Sequence, residues 1–123
     1  MLNGKPQKAF SLLFFPDRNK DTFTMYVSSP PPEWLGGDDL TRAVITEEGI
    51  YCLFFRASSR PGGSGYITVN GREIRGTYSR EAGGVISGSA VCSIRAPALP
   101  CAFGFSADDG VEDGMLLIFK YDV

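Results

Sequence analysis

Apolar residues recur at every second position in short runs along this chain, which is the pattern of β-strands. In the stretch TFTMYVS (residues 22–28), apolar side chains alternate with hydroxyl-bearing ones. No window longer than a few residues keeps the i, i+3, i+4 apolar spacing of a helix, and 15 glycines and eight prolines separate the runs. We therefore predict an all-β protein of eight to ten strands. The predicted segments are 8–15, 22–28, 41–46, 50–57, the hairpin 66–76, 83–96, 99–107 and 115–123.

Turn residues define the connections between these strands. Asn70-Gly71 lies between β-branched residues and predicts a two-residue type I′ turn, since both turn positions require positive φ. The stretch PPPEWLGGDD (30–39) is predicted to be a loop, because three prolines do not pair inside a sheet. The glycine-rich stretch 58–65 and the acidic stretch 107–114 are predicted to be loops as well.

Two strands are apolar on both of their faces. In IYCLFF (50–55) and MLLIF (115–119), apolar side chains occupy odd and even positions alike, and SLLFF (11–15) shows the same pattern more briefly. A strand in a two-sheet sandwich needs only one apolar face. The second face is predicted to be covered by another copy of the chain. Long loops over the sheet, or a closed barrel around a ligand, are the alternatives.

The chain has 123 residues, 43% of them hydrophobic, which fits one domain spanning 1–123 with its own core. A net charge of -2, with Lys and Arg scattered singly, argues against a nucleic-acid partner. No apolar run approaches the ~20 residues that span a bilayer, and the first ten residues lack the apolar core of a signal peptide. The chain is expected to remain inside a cell, to be exported by another route, or to be cut from a longer protein.

Candidate catalytic chemistry is sparse. The chain contains no histidine, which removes the commonest general base and metal ligand. It has no GxSxG motif, and the three cysteines (Cys52, Cys92 and Cys101) form no CxxC pair, so we predict free, mostly buried thiols. We predict that the protein is not an enzyme and has no cofactor or metal. Four acidic residues of one loop offer oxygen ligands for calcium, but we favour a solvated loop: Asp108, Asp109, Glu112 and Asp113.

Three motifs together resemble the tumour-necrosis-factor (TNF) and complement globular-head superfamily. These motifs are ITEEGIYCLFF (45–55), YITVNGREI (66–74) and EDGMLLIFKY (112–121). Their order and spacing are most similar to those in the C-terminal domain of collagen-like glycoproteins of the bacterial spore exosporium. The resemblance covers about residues 40–123, and the first 39 residues match less well. This chain departs from those glycoproteins in having no Gly-X-Y stalk.

The resemblance implies a two-sheet antiparallel jelly roll that assembles as a trimer, with the first, last and central strands near the threefold axis. The Tyr51 face of strand 50–55 resembles the core face of that family. We therefore expect a non-catalytic, homotrimeric assembly and display module on a cell, spore or virion surface. The residues predicted to lie between chains are Cys52, Phe54, Leu116 and Ile118.

The alternative function is a glycan- or receptor-binding tip domain, as in phage fibres or virion surface proteins. Exposed loop residues carry recognition in such domains. The candidates are Trp34, Arg60 and Tyr66. Trp34 is the single tryptophan of the chain, and its other interpretation is that it folds back over an edge of the core.

Overall fold

The computed structural model of the chain describes residues 9–17, 22–27, 35–36, 42–108 and 110–121. Within these ranges the backbone forms eleven strands and one short 3-10 turn, at Ala96–Ala98. The strands are β1 (Ala9–Asp17), β2 (Thr22–Val27), β3 (Leu35–Gly36), β4 (Ala43–Ile45), β5 (Gly49–Ser59), β6 (Ser64–Val69), β7 (Arg72–Glu73), β8 (Ser79–Arg80), β9 (Val85–Ile94), β10 (Cys101–Ala107) and β11 (Val111–Tyr121).

The strands form two antiparallel sheets. The first sheet has the order β2-β1-β11-β5-β9, and the second has the order β3-β4-β10-β6-β7, with β8 also paired to β6. In the first sheet, β11 lies between β1 and β5 and is hydrogen-bonded to both. The predicted two-sheet jelly-roll sandwich is thereby confirmed.

The predicted hairpin at Asn70-Gly71 is confirmed. Val69 pairs with Arg72 across the turn, and Asn70 and Gly71 have φ values of 51° and 80°, as a type I′ turn requires. The Asn70 side chain also accepts a hydrogen bond from the Ala102 amide (2.9 Å), while the Asn70 amide donates to the Ala102 carbonyl (2.8 Å). The turn is therefore fastened to β10 as well as to its own strands.

The core lies between the sheets and is centred on β5 and β10. Tyr51 and Phe55 of β5 pack against Phe103 and Phe105 of β10, with ring centroids 5.9 Å and 4.9 Å apart. Leu53 lies between them and is fully buried. The Tyr51 face of β5 is thus the core face, as the resemblance implied. The other buried apolar residues of this core are Ala43, Ile45, Ala57, Ile67, Ile86, Ile94, Cys101, Val111, Leu116 and Ile118.

The position of Leu116 and Ile118 corrects one prediction. Both side chains have no accessible surface within the single chain, so they cannot form a contact between chains. Leu116 pairs with Phe55 and Ile118 with Leu53, and directly paired residues share one face of a sheet, which here is the core face. The prediction that Leu116 and Ile118 lie between subunits was wrong. The neighbouring positions Met115, Leu117 and Phe119 take the outward face instead.

Several boundaries also differ from those predicted. β3 lies inside the stretch 30–39, which was predicted to be a loop, because the chain pairs again after the prolines. β11 begins at Val111, inside the predicted acidic loop, where a β-bulge between Val111 and Gly114 absorbs the extra residues. β5 continues to Ser59, two residues beyond its predicted end.

The segment between β7 and β8 closes one side of the sandwich. Thr77 is buried between the facing edges of the sheets, where its hydroxyl donates to the Ile74 carbonyl (2.7 Å) and accepts from the Ile67 amide (3.1 Å). Two residues later, the Ser79 hydroxyl accepts a hydrogen bond from the Ser87 amide of β9 (3.3 Å). This segment therefore joins the β6 edge of the second sheet to the β9 edge of the first.

Candidate functional site

The outward side of the first sheet carries an apolar surface, which we call the exposed apolar face. It is formed by the residues of β5, β9 and β11 that alternate with core positions. In β11, Met115 is 41% exposed, and in β9, Val91 is 69% exposed, while Leu117 is half-buried. The members of the face are Ile50, Cys52, Phe54, Arg56, Ser87, Ser89, Val91, Ser93, Met115, Leu117, Phe119 and Tyr121.

An aromatic pair lies at the centre of this face. The rings of Phe54 and Phe119 meet edge to face, with centroids 6.0 Å apart, and Phe54 remains 47% exposed. Arg56 is the one charged residue of the face as defined, and it lies toward the end of β5. Exposed apolar surfaces are typical of sites of protein association.

Cys52 and Phe54, two of the residues predicted to lie between chains, belong to this face. Cys52 pairs with Phe119 and Phe54 with Leu117, so all four share the outward side of the sheet. Contact of Cys52 and Phe54 with another chain therefore stays a prediction. Sequence reasoning missed Met115, Leu117 and Phe119 as members, although their apolar alternation was visible.

A second surface feature is a cluster of three loops at one end of the sandwich, to which the structure assigns residues 60–63, 81–84, 108 and 110–111. The Glu81 carboxylate accepts hydrogen bonds from the amides of Gly62 (3.3 Å) and Gly84 (2.7 Å). Backbone hydrogen bonds add to this, including those from the Arg60 amide to the Gly110 carbonyl and from the Glu81 amide to the Gly63 carbonyl, both 2.8 Å. The three loops are therefore fastened to one another.

The Asp108 carboxylate has a structural role in this cluster. One oxygen accepts from the Gly110 amide and the other from the Ser64 hydroxyl, each at 3.1 Å. Among the described residues, which leave out Asp109, no three acidic or cysteine side chains are grouped so that they could hold a metal ion. The geometry of Asp108 is that of a turn-stabilising carboxylate.

The thiols and the buried polar residues offer little reactivity. All three cysteines are free, with Cys52 and Cys101 buried, as predicted. Burial raises the pKa of each thiol, which disfavours the nucleophilic thiolate. Lys120 is also buried and lies 3.7 Å from the carboxylate of Glu47, whose carbonyl accepts a 2.6 Å hydrogen bond from the Tyr51 hydroxyl. Through these two contacts, Glu47, which precedes β5, is attached to Lys120 of β11 and to Tyr51 of β5.

The three residues predicted to bind a ligand lie in different places. Trp34 is outside the described residues. Arg60 lies in the loop cluster and is exposed. Tyr66 is half-buried and belongs to β6, within the predicted hairpin 66–76, so it is not a loop residue as the ligand-binding hypothesis required; it faces outward from the second sheet. Its neighbours there, Tyr78 and Arg80, were missed because their position depends on strand pairing.

Comparison by sequence identifies no relative: no protein-family model and no curated protein matches the chain. In the described part of the chain, no helix is long and apolar enough to span a membrane.

Comparison of the structure with solved structures does give matches. Rabbit GITRL superimposes with a TM-score of 0.64 at 11% identity, covering 90% of this chain and 93% of GITRL. Murine APRIL gives a TM-score of 0.63 at 11% identity and covers 92% of this chain and 99% of APRIL. Eiger TNF from S. frugiperda gives a TM-score of 0.61 at 11% identity and covers 94% of this chain and 96% of Eiger TNF.

These neighbours are TNF-family ligands, and the match extends over almost the full length of both partners. At this level of identity the likeness concerns the fold. Together with the sheet order, it identifies the architecture: this chain has a TNF-like jelly-roll fold.

Proposed function

We propose that the protein is a non-catalytic assembly and display module that works as a homotrimer. The observation that carries the proposal is the exposed apolar face, with Phe54 and Phe119 at its centre. Burying one large apolar side chain contributes about 1.5–3 kcal/mol. Several such side chains on one face give a strong tendency to associate, and a second copy of the chain offers the same apolar surface.

The stoichiometry of three is supported by the fold and by the sequence motifs that resemble the trimeric superfamily. A threefold ring uses two different patches on each subunit, which contact each other head to tail. The exposed apolar face offers two such patches. Its β11 side is aromatic and aliphatic, with Leu117 and Phe119, whereas its β9 side has small residues around Val91, such as Ser89.

The trimer is tested by size-exclusion chromatography with light scattering on the complete chain at micromolar concentration. The expected mass is three times the chain mass of 13.3 kDa. A stable monomer or a dimer would contradict the proposal.

The more specific form of the proposal places the domain at the C-terminal end of a collagen-like stalk, as in exosporium glycoproteins, on the surface of a cell, spore or virion. A trimeric domain would bring three stalk chains into register. A Gly-X-Y stalk fused before residue 1 should therefore refold into a triple helix faster than the same stalk alone, as measured by circular dichroism. Equal refolding rates would count against this role.

A second candidate function is a glycan- or receptor-binding tip of a phage fibre or virion surface protein. It is favoured by Tyr66, Tyr78 and Arg80, which lie on the outward side of the second sheet. That side is opposite to the exposed apolar face, so it stays accessible in a trimer built through the first sheet. A module of this kind would assemble through one sheet and bind its ligand through the other.

A further inference from the structure

Three residues come together at one edge of the second sheet, and we call them the tyrosine–arginine patch: Tyr66, Tyr78 and Arg80. In the pairing of β6 with β8, Ser64 lies opposite Arg80 and Gly65 opposite Ser79. Two positions further along the same pair of segments, the Thr77 hydroxyl accepts a hydrogen bond from the Ile67 amide. The register is therefore continuous, and Tyr78 lies beside Tyr66.

The side chains of the patch all face outward. In β6, Ile67 belongs to the core, so Tyr66 points to the opposite side of the sheet. On the neighbouring segment, Thr77 is buried and Ser79 bonds the first sheet, so Tyr78 and Arg80 take the outward side. Tyr78 is 51% exposed and Arg80 is exposed as well.

The Arg80 guanidinium is available to a ligand. In residues 42–108 and 110–121, no carboxylate lies within ion-pair distance of Arg80. Arg80 is adjacent to Glu81 in sequence and lies opposite Ser64. The Glu81 carboxylate accepts hydrogen bonds from the Gly62 and Gly84 amides, and the Ser64 hydroxyl donates one to Asp108. A guanidinium that has no carboxylate partner within this part of the chain, and that lies on an aromatic surface, is suited to a ligand that carries an anionic group.

The backbone that holds the patch is fastened on both sides. Thr77 and Ser79 bond to β6 and β9, and Ser64 is held by Asp108. The Glu81 carboxylate links the glycine-containing loop that follows β5 to the one that follows β8, because it accepts a hydrogen bond from each. A preformed surface of this kind loses little conformational entropy when a ligand binds.

We propose that the tyrosine–arginine patch binds a sugar that carries a single carboxylate, such as a terminal sialic or uronic acid. The two tyrosines provide aromatic faces and hydroxyl groups for a pyranose ring. Arg80 provides the planar pair of N–H donors that matches a carboxylate. A densely sulfated polymer fits less well, because the patch has one cation and lies close to the carboxylates of Glu81 and Asp108.

This inference deepens the second candidate function, but it does not depend on the trimer, because the two surfaces are on opposite sides of the sandwich. Light scattering on the same sample reports the oligomeric state separately from binding. A monomer that still binds the sugar would leave the inference intact while overturning the assembly role.

The test is a titration of the complete, isotope-labelled chain with sialyllactose, with lactose and with a heparin hexasaccharide, followed by amide NMR shifts and calorimetry. We expect sialyllactose to bind and to shift the amides of residues 64–68 and 78–80, with lactose weaker by at least about tenfold. The inference is overturned by equal binding of lactose and sialyllactose, by tighter binding of the heparin fragment, or by no binding at millimolar concentrations.

Variants locate the site. Arg80→Gln should weaken sialyllactose binding by about tenfold or more while leaving lactose binding unchanged. Tyr78→Ala should weaken the binding of both sugars. Arg95→Gln is the matched control, because Arg95 is also exposed but lies beyond the end of β9. Circular dichroism checks that each variant is folded. Undiminished binding in folded Arg80→Gln protein would contradict the assignment.

Discussion

Phe54 of β5 and Phe119 of β11 contact each other edge to face on the outward side of the first sheet, with an interplanar angle of 85°. They are not directly opposite, since Phe54 pairs with Leu117 and Phe119 with Cys52. The ring contact is therefore diagonal, and it joins the adjacent strands β5 and β11 on the side of the sheet away from the core. A pair of this kind contributes about 0.5–1.5 kcal/mol beyond the area it buries.

Replacing Phe54 by glutamate should release folded monomers. Phe54 is nearly half-exposed in the single chain, so the substitution removes little from the chain's own core. In an interface it places an unpaired charge in an apolar contact, at a cost of about 3–5 kcal/mol. Light scattering measures the mass. Tyr78→Glu is the control, because Tyr78 is a similarly exposed aromatic residue on the opposite sheet, and it should leave the mass unchanged.

Ile118→Ala should destabilise the chain itself, whereas Leu117→Glu should affect association. Ile118 is fully buried in the core, and truncating such a residue costs about 2–5 kcal/mol of the free energy of unfolding. Leu117 is half-buried on the outward side, so its glutamate variant is expected to remain folded. Urea denaturation combined with light scattering separates the two effects. If both variants behaved alike, the assignment of faces in β11 would be wrong.

Thr77→Val should lower the free energy of unfolding by about 1–3 kcal/mol, although valine has the same shape. The loss arises because the buried Ile67 amide no longer has the Thr77 hydroxyl as its acceptor. The Ile74 carbonyl keeps the hydrogen bond from the Thr77 amide. Thr77→Ser retains the hydroxyl and should lose less. Thermal or urea unfolding measures the stability of the three proteins, which should decrease from wild type to Thr77→Ser to Thr77→Val. A valine variant as stable as the wild type would contradict this role of the Thr77 hydroxyl.

Glu81→Ala should loosen the loop cluster without unfolding the sheets. The carboxylate accepts from the amides of Gly62 and Gly84, and both lose this partner in the variant. Hydrogen exchange at these two amides should therefore become faster, while exchange in β5 stays unchanged. Glu73→Ala serves as the control, since Glu73 is an exposed residue of β7. Unchanged exchange at Gly62 and Gly84 would show that the carboxylate does not hold these loops.

Stability should fall in alkaline solution, partly because of Tyr51. Burial, and then the nearby charges of Glu47 and Cys101, raises the pKa of Tyr51 above its ordinary value of 10.0. Above about pH 10 the unfolded chain releases this proton while the folded chain retains it, so the free energy of unfolding decreases as pH rises. Below pH 10, Tyr51 makes its full contribution to the free energy of unfolding.

Tyr51→Phe removes that titration, so its stability should decline less between pH 10 and pH 12 than that of the wild type. The variant also loses the hydrogen bond to the Glu47 carbonyl and should be less stable at neutral pH. Urea midpoints across this range provide the measurement, with Tyr78→Phe as the exposed control. Parallel profiles for wild type and Tyr51→Phe would argue against the assignment.

Local sequence signals predicted the hairpin and the longer strands, but not the two-residue strands β3 and β8. The Asn70-Gly71 turn depends on φ values that few residues adopt, so two residues suffice to predict it. The doubly apolar pattern of 50–55 also predicted a sheet with an apolar outward side, and the Tyr51 face proved to be the core.

The sequence did not predict which face of β11 is buried. Both faces are apolar, so alternation alone does not distinguish Leu116 from Leu117. The choice depends on pairing with β5, whose residues lie about sixty positions earlier, and on the bulge that follows Val111. The same limit applies to the tyrosine–arginine patch, since Tyr78 reaches Tyr66 only through the contact of Thr77 with β6.

The position of β11 between β1 and β5 has a consequence for how the chain folds. β11 is the last of the described strands to be synthesised, yet the first sheet is contiguous only when it is in place. Until then, β1 and β2 have no hydrogen-bonded link to β5 and β9. Because contacts this distant in sequence slow folding, the first sheet is expected to close late in folding. A chain shortened before β11 would present two unpaired strand edges, which are prone to aggregate.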